Sequence, residues 1–147
     1  MEPGDALQGP RGNSGEPASA GATVLVVDDD DDLRELLVDI LREEGFEVRT
    51  ARDGSEAMDV IALLPQHAAM LLDLSMPRVG GREVLHWLQS RPDLAHVAVC
   101  IVSGEAELLP GATLAIRKPL LIHQWVRIIE WLRERLETPA AARQPGF

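Results

Sequence analysis

The sequence has few aromatic residues, a single cysteine and a shortage of positive charge. Only 3% of the 147 residues are aromatic, so the hydrophobic content of 46% predicts a core built from aliphatic side chains. One cysteine, Cys100, excludes an internal disulfide framework and a zinc site made of cysteines. Cys100 lies in the apolar segment 97–102, and this position favours an inert, buried thiol.

The shortage of positive charge excludes several kinds of partner. Lysine and arginine number 14 against 24 aspartates and glutamates, which gives a formal net charge of -10. A nucleic-acid binder needs clustered positive charge to neutralise phosphates, and an anionic membrane attracts the same kind of cluster. The sequence also has no apolar stretch long enough to cross a bilayer and no signal-peptide pattern. We therefore predict a cytoplasmic protein whose partners include neither nucleic acid nor membrane.

The length and the distribution of apolar residues predict one domain between two tails. Residues 1–22 are rich in Gly, Pro, Ser and Glu and have almost no large apolar side chains, which is typical of a disordered N-terminal tail. Residues 138–147 form a similar C-terminal tail. The intervening residues 23–137 are long enough to bury a core of ordinary size.

Strand and helix patterns alternate along this domain. The predicted strands are 23–27, 46–51 (near an edge), 68–72, 97–102 and 113–117. The predicted helices are 33–44, ended by Gly45, then 55–64, ended by Pro65, then 81–89 and 120–136. Continuous apolar strands that alternate with helices indicate an α/β fold, with a parallel sheet covered by helices on both faces.

Polar residues stand at the ends of four of the predicted strands. Asp28 and Asp29 follow the first strand, Asp73 follows the third, and Ser103 and Lys118 follow the next two. Because parallel strands end at one edge of the sheet, these side chains should converge there. Crowded carboxylates repel each other unless a cation is present, and a hard divalent cation is the simplest candidate. Taken alone, the acidic run 28–32 is equally compatible with a solvated turn that caps the next helix.

Four short motifs, in this order, resemble the receiver domain of bacterial response regulators. They are Val-Leu-Val-Val-Asp-Asp at 24–29, Leu-Leu-Asp-Leu-Ser-Met-Pro at 71–77 with glycines at 80 and 81, Val-Ser-Gly at 102–104, and Arg-Lys-Pro-Leu at 117–120. The resemblance covers residues 23–137. It implies a flavodoxin-like, doubly wound sheet of five parallel strands in the order 2-1-3-4-5, with helices on both faces.

The resemblance also implies roles for the acidic residues. Asp73 would be the phosphoacceptor, whose carboxylate attacks a phosphoryl group to give an aspartyl phosphate. Mg²⁺ would be the cofactor, bound by Asp28, Asp29, Asp73 and the backbone carbonyl of Ser75. Independently of the resemblance, Asp31, in preference to Asp32, is expected to cap the following helix, because its side chain can accept from the free amides that open the helix at Leu33.

The remaining implied roles belong to residues around the phosphoryl group. Lys118 would pair with Asp73 at rest and with the phosphate afterwards. Ser103 would donate a hydrogen bond to the phosphate and move inward as the switch. Ser75 and Glu105 occupy the variable positions that tune the lifetime of the aspartyl phosphate.

The segment between Ser103 and Lys118 departs from the family pattern. Receivers usually carry a full helix there, but residues 105–112 leave room for a turn or two, and a Pro-Gly pair at 110–111 interrupts even that. Ala115 stands where the family usually has Tyr or Phe. We therefore predict that the fourth helix is shortened or missing, so that the usual readout surface is altered. Trp87 is predicted to lie on an exposed helix face as a partner anchor, and Trp131 to serve either that purpose or as a cover for the shortened region.

We interpret the chain as a single-domain response regulator. Its expected partner is a sensor histidine kinase or a histidine phosphotransfer protein, and its output would be protein contact or a phosphorelay. It is not expected to be an enzyme beyond catalysing its own phosphorylation and dephosphorylation. One alternative is a receiver-like binding module that no longer uses phosphorylation. A second is a phosphohydrolase with Asp28 and Asp30 as its acid pair.

Overall fold

The computed structural model describes residues 22–136, which form alternating strands and helices. In chain order the elements are β1 (Thr23–Val27), α1 (Asp31–Glu43), β2 (Glu47–Ala51), α2 (Gly54–Ile61), β3 (Ala68–Leu72), α3 (Gly81–Gln89), a short 3₁₀ turn (Pro92–Leu94), β4 (Ala98–Ser103), β5 (Leu114–Arg117) and α4 (Ile122–Leu136). None of the described helices is long and apolar enough to span a membrane. Of the predicted tails, 1–22 and 138–147, all residues but Ala22 lie outside the described part of the chain, and so does residue 137.

The five strands form one parallel sheet in the order β2-β1-β3-β4-β5, as predicted. The register sets Val27 level with Ala51 on one side and with Leu72 on the other. The chain therefore leaves β1 and β3 at the same height, one residue before an aspartate in each case. The edge position expected for β2 is confirmed.

Alternate side chains of the strands feed two separate apolar layers. Leu25, Met70 and Ile101 belong to the layer that α2 and α3 cover. The residues next to them in the strands, such as Leu71 and Cys100, belong to the layer on the other face, which α1 and α4 cover. Because both sheet faces are covered, the central strands are apolar throughout, and this explains their unbroken hydrophobic runs.

The ends of several elements differ from the sequence prediction. The second helix ends at Ile61 rather than at residue 64, so Pro65 follows a turn and does not itself stop the helix. Ala22, placed in the N-terminal tail by its composition, is buried, and its carbonyl accepts a hydrogen bond from the Glu47 amide. One residue more than expected therefore joins the domain.

The connection between β4 and β5 contains no helix, as its length predicted. The described residues 104–113 run as turns and irregular chain. Ala106, Leu109 and Ala112 pack against the layer of α2 and α3. Glu107 forms an ion pair with Arg82 of α3 at 2.6 Å. A loop with a few small apolar contacts therefore takes the place of the helix that receivers usually carry between these two strands.

The two tryptophans considered as partner anchors are both packed into the domain. Trp87 is half-buried against the layer of α2 and α3, with the Arg91 guanidinium 5.3 Å above its ring, so the prediction of an exposed anchor is wrong. Trp131 is buried, and its ring N–H donates to the Thr113 hydroxyl at 3.1 Å. Trp131 thus covers the start of β5, next to the helix-free connection.

Candidate functional site

The carboxyl edge of the sheet brings together the polar residues that the sequence placed at strand ends. Asp28 follows β1 and Asp73 follows β3, and the Asp73 amide donates to the Val27 carbonyl at 3.0 Å. Ser103 is the last residue of β4, and its carbonyl accepts from the Lys118 amide at 3.0 Å. Backbone hydrogen bonds between neighbouring strands therefore fix the relative positions of these residues.

Three carboxylates form a compact cluster at this edge. Asp28, Asp29 and Asp73 each contribute an oxygen, and these oxygens lie within 4.8 Å of one another. Asp28 and Asp73 are buried, with 2% and 4% of their surface exposed, whereas Asp29 is exposed. Burial raises the pKa of Asp28, and the neighbouring charge of Asp73 adds to that rise. A cation at this point would relieve the repulsion.

Lys118 supplies one such positive charge. Its ammonium nitrogen lies 2.8 Å from Asp28 Oδ2 and 3.4 Å from Asp73 Oδ2. Burial alone would lower the pKa of Lys118, but the hydrogen bond to Asp28 and the charges of both aspartates outweigh burial and raise it. Lys118 therefore stays protonated between the two buried carboxylates.

Ser103 lies at the same edge with its hydroxyl unused. The residue is fully buried, and its Oγ has no hydrogen-bond partner among residues 22–136. A buried hydroxyl without a partner costs about 1–3 kcal/mol. An acceptor such as a phosphoryl oxygen would remove that cost.

A comparison with protein-family models identifies the family of this chain. The statistical model of the response regulator receiver domain matches residues 24–128. This chain belongs to that family. Its relatives include Response regulator RR06 of Streptococcus pneumoniae, 38% identical over 82 residues, which are 56% of this chain and 37% of RR06. They also include the polar-differentiation response regulator DivK of Brucella anthropi, 29% identical over 115 residues, which cover 74% of this chain and 93% of DivK.

A solved structure of similar fold contains both a metal and a partner protein. It is the CheX–CheY–BeF₃–Mg²⁺ complex of Borrelia burgdorferi, which is 25% identical to this receiver domain with a TM-score of 0.66. The match covers 77% of this chain and 87% of the other. The similarity extends the family assignment from the sequence to the three-dimensional fold.

The cluster of this receiver domain has the donor set that Mg²⁺ prefers. Mg²⁺ takes oxygen ligands, usually keeps several waters and needs few protein carboxylates. Asp28, Asp29 and Asp73 provide those oxygens, and the exposure of Asp29 leaves the cluster open on one side. The orphaned Ser103 hydroxyl lies at the same edge and suits a phosphoryl oxygen. The residues present therefore fit the cofactor that the resemblance implied.

Ser75 and Glu105 are not among the three carboxylate-bearing residues of the cluster, and each lies two residues beyond a strand-end residue, Asp73 or Ser103. The Ser75 amide donates to Asp73 Oδ1 at 3.2 Å, which orients the carboxylate of the predicted phosphoacceptor. Both residues are exposed. Their role in phosphate lifetime, and the metal contact of the Ser75 carbonyl, stay predictions.

The acidic run 28–32 divides differently from the sequence prediction. Asp30, which had a role only in the phosphohydrolase alternative, caps α1, and its side chain accepts from the Leu33 amide at 3.1 Å. Asp31 instead lies in the first turn of α1 and pairs with Arg34 at 2.5 Å. The cap falls one residue earlier because α1 begins at Asp31 itself.

Arg34 is a charged neighbour of the acidic run that sequence reasoning missed. Its guanidinium donates to the Asp28 carbonyl at 2.8 Å as well as to Asp31. It therefore adds a second fixed positive charge beside the acidic run. The available signal was its spacing of three residues from Asp31, which places both side chains on one face of a helix.

Proposed function

We propose that this receiver domain accepts a phosphoryl group on Asp73 from the phosphohistidine of a sensor histidine kinase or a histidine phosphotransfer protein. An oxygen of the Asp73 carboxylate would attack phosphorus, the P–N bond to histidine would break, and the histidine would leave with that bond's electron pair. One observation carries the proposal. The Lys118 ammonium is held between two buried carboxylates, and one of these is the predicted nucleophile.

The residues around Asp73 have complementary tasks in such a transfer. Phosphoryl transfer depends mainly on positioning and on stabilising the charge of the equatorial oxygens. Lys118 would pair with the Asp73 carboxylate before the transfer and with the phosphoryl oxygens after it. Ser103 offers its unused hydroxyl as a donor. Mg²⁺ held by Asp28, Asp29 and Asp73 would neutralise charge on the incoming group.

The output proposed for this domain is contact with another protein or transfer of the phosphoryl group along a relay. The match covers 93% of the response regulator DivK, which supports a signalling role for the receiver domain. The CheX–CheY complex shows that a protein of this fold binds a partner in the presence of BeF₃ and Mg²⁺. Beyond its own phosphorylation and dephosphorylation we propose no enzymatic activity, and a cytoplasmic location stays a prediction.

A second candidate function is a binding module that does not use phosphorylation. The missing helix between β4 and β5 and the small Ala115 on β5 favour it, because both alter the surface through which the family reports phosphorylation. The phosphohydrolase alternative loses support. Asp30 was to be one of its two acids, but the Asp30 carboxylate is engaged as the cap of α1.

Incubation with acetyl phosphate tests the proposal. With Mg²⁺ present, the intact mass of the protein should increase by one phosphoryl group, and EDTA should prevent the increase. Asp73→Asn should stay unmodified, while Asp59→Asn, a change of an exposed acid on α2, should behave like the wild type. Absence of the adduct in the wild type, together with no spectral response to beryllofluoride, would favour the binding module.

A further inference from the structure

The loop between β3 and α3, residues 73–80, carries the predicted metal contact of Ser75. We infer that the ion pair between Asp53 and Arg78 holds this loop in the shape that binds Mg²⁺, so that both residues are positioning residues for the metal site. The inference rests on the proposed function. It concerns two side chains that lie outside the acidic cluster.

Arg78 adopts a backbone conformation that needs support. Its φ of 64° makes it the one non-glycine residue with positive φ in the described part of the chain. That region disfavours side chains with a Cβ, so such residues persist where their surroundings hold them. The Arg78 guanidinium binds Asp53 Oδ2, while most of the arginine side chain is exposed. The ion pair is therefore a polar contact that favours the left-handed conformation of Arg78.

Asp53 connects this loop to the start of α2. Its Oδ1 accepts from the Glu56 amide at 2.9 Å, and its Oδ2 binds Arg78. The Glu56 hydrogen bond, followed by the Arg78 contact, lowers the pKa of Asp53, so the carboxylate is ionised at neutral pH. Only 7% of the residue is exposed. One nearly buried carboxylate therefore serves both as a helix cap and as an anchor for the loop.

Close backbone packing fixes the same loop at two more points. The Gly54 amide donates to the Val79 carbonyl at 2.9 Å, and a Cβ at Gly54 would lie 2.5 Å from Val79 Cγ1. At the far end of the loop, a Cβ at Gly81 would lie 2.3 Å from the Asp73 carbonyl oxygen. Between these points the Ser75 amide contacts the Asp73 carboxylate. The loop is thus bound to α2 on one side and to the phosphoacceptor on the other.

A loop that is already ordered loses less entropy when it binds a ligand. Removing the ion pair would let residues 75–79 sample other conformations, and Mg²⁺ would have to select the binding one. Partners outside the ligand set typically change metal affinity by about 10- to 100-fold. Because the ion pair acts through the loop and not on a metal ligand directly, we expect its removal to weaken Mg²⁺ affinity about tenfold, the lower end of that range.

Two variants separate loop positioning from the simple effect of charge. Asp53→Asn keeps a residue that caps helices well but removes the charge that binds Arg78. Arg78→Gly removes the same pair and relieves the left-handed backbone. If only the charge near the metal mattered, Mg²⁺ binding would weaken in Asp53→Asn, which loses a negative charge, and strengthen in Arg78→Gly, which loses a positive one. Positioning predicts about tenfold weaker binding in both, and no further loss when they are combined.

The measurements are Mg²⁺ titrations followed by NMR and hydrogen exchange of the metal-free protein. Exchange at the amides of residues 75–79 should be faster in both variants, and their thermal unfolding should stay near that of the wild type. Glu107→Gln, which breaks the Arg82 ion pair outside this loop, is the matched control and should bind Mg²⁺ normally.

The outcomes distinguish the inference from the function on which it rests. Failure of the wild type to bind Mg²⁺ would overturn the proposed function itself. Normal Mg²⁺ affinity in both variants, or opposite shifts in the two, would overturn the positioning role while leaving the proposed function intact.

Discussion

The carboxyl edge of the sheet and the β4–β5 connection meet at Ser103, the last residue of β4, yet they are built in different ways. At the edge, buried side chains are fixed by strand register, ion pairs and close backbone contacts. In the connection, Leu108 is 63% exposed, and the chain is held by small apolar contacts and a surface ion pair. The difference teaches that a receiver domain can lack a helix next to Ser103 and still keep the acidic cluster.

Physical reasons explain why the two regions can vary independently. The acidic cluster depends on where parallel strands end, and the register of β1, β3 and β4 sets those ends. The β4–β5 connection must only return the chain from β4 to β5 and cover part of one apolar layer. A loop can do this because loop closure entropy grows slowly with length.

The largest predicted effect follows from changing Lys118 to Met. Loss of its charge should slow phosphorylation of Asp73 by acetyl phosphate roughly 100- to 1000-fold, because a fixed cation no longer stabilises the transferred group. Mg²⁺ affinity should rise, since Lys118 no longer competes for the Asp28 and Asp73 oxygens. Mass spectrometry and metal titration measure the two effects.

Arg117→Met is the matched control for that experiment, because it removes an exposed positive charge next in the sequence. It should leave both the phosphorylation rate and the metal affinity close to those of the wild type. Equal rates for the Lys118 and Arg117 variants would remove the electrostatic role assigned to Lys118.

A smaller effect is expected from adding one methyl group at each of two glycines. Gly81→Ala would press its Cβ against the Asp73 carbonyl and the Leu74 backbone, so the free energy of unfolding should fall by about 1–3 kcal/mol. Gly104→Ala meets nothing within 4 Å and should change it by less than about 0.5 kcal/mol. Denaturant titration gives both values. Similar losses at the two positions would show that the β4–β5 connection is as tightly packed as the carboxyl edge of the sheet.

The smallest effect is predicted for Glu107→Gln. The Arg82–Glu107 pair is about half exposed on both sides, so its loss should lower the free energy of unfolding by less than about 1 kcal/mol. Phosphorylation of Asp73 should stay within about twofold of the wild type, because the pair touches no residue of the acidic cluster. A marked loss of phosphorylation in this variant would mean that the loop and the cluster are coupled after all.

The sequence predicted the convergence of Asp28, Asp73, Ser103 and Lys118 because it follows from strand ends, whereas the sheet order came from the resemblance to receiver domains. It also predicted the missing helix, since a Pro-Gly pair in so short a segment leaves no room for one. It misplaced the cap of α1, because five consecutive aspartates offer several equivalent capping side chains.

The side chains that the sequence did not reveal act across the fold or along a helix face. Arg78 pairs with Asp53, which is 25 residues away, and no local pattern marks that contact. The burial of Trp87 and Trp131 depends on contacts with other parts of the fold, which the spacing of residues along their helices does not reveal. Local patterns therefore located the backbone positions of the site, while its supporting contacts required the structure.

The buried sulfur of Cys100 has a practical consequence for observing this protein at work. Burial raises the pKa of the Cys100 thiol to about 12, so thiol-reactive dyes should not react with it in the native state. A Gly104→Cys variant would then offer one accessible thiol, pointing into open space beside the end of β4. A fluorophore attached there would report events at Ser103 in real time, with no need to remove the native cysteine first.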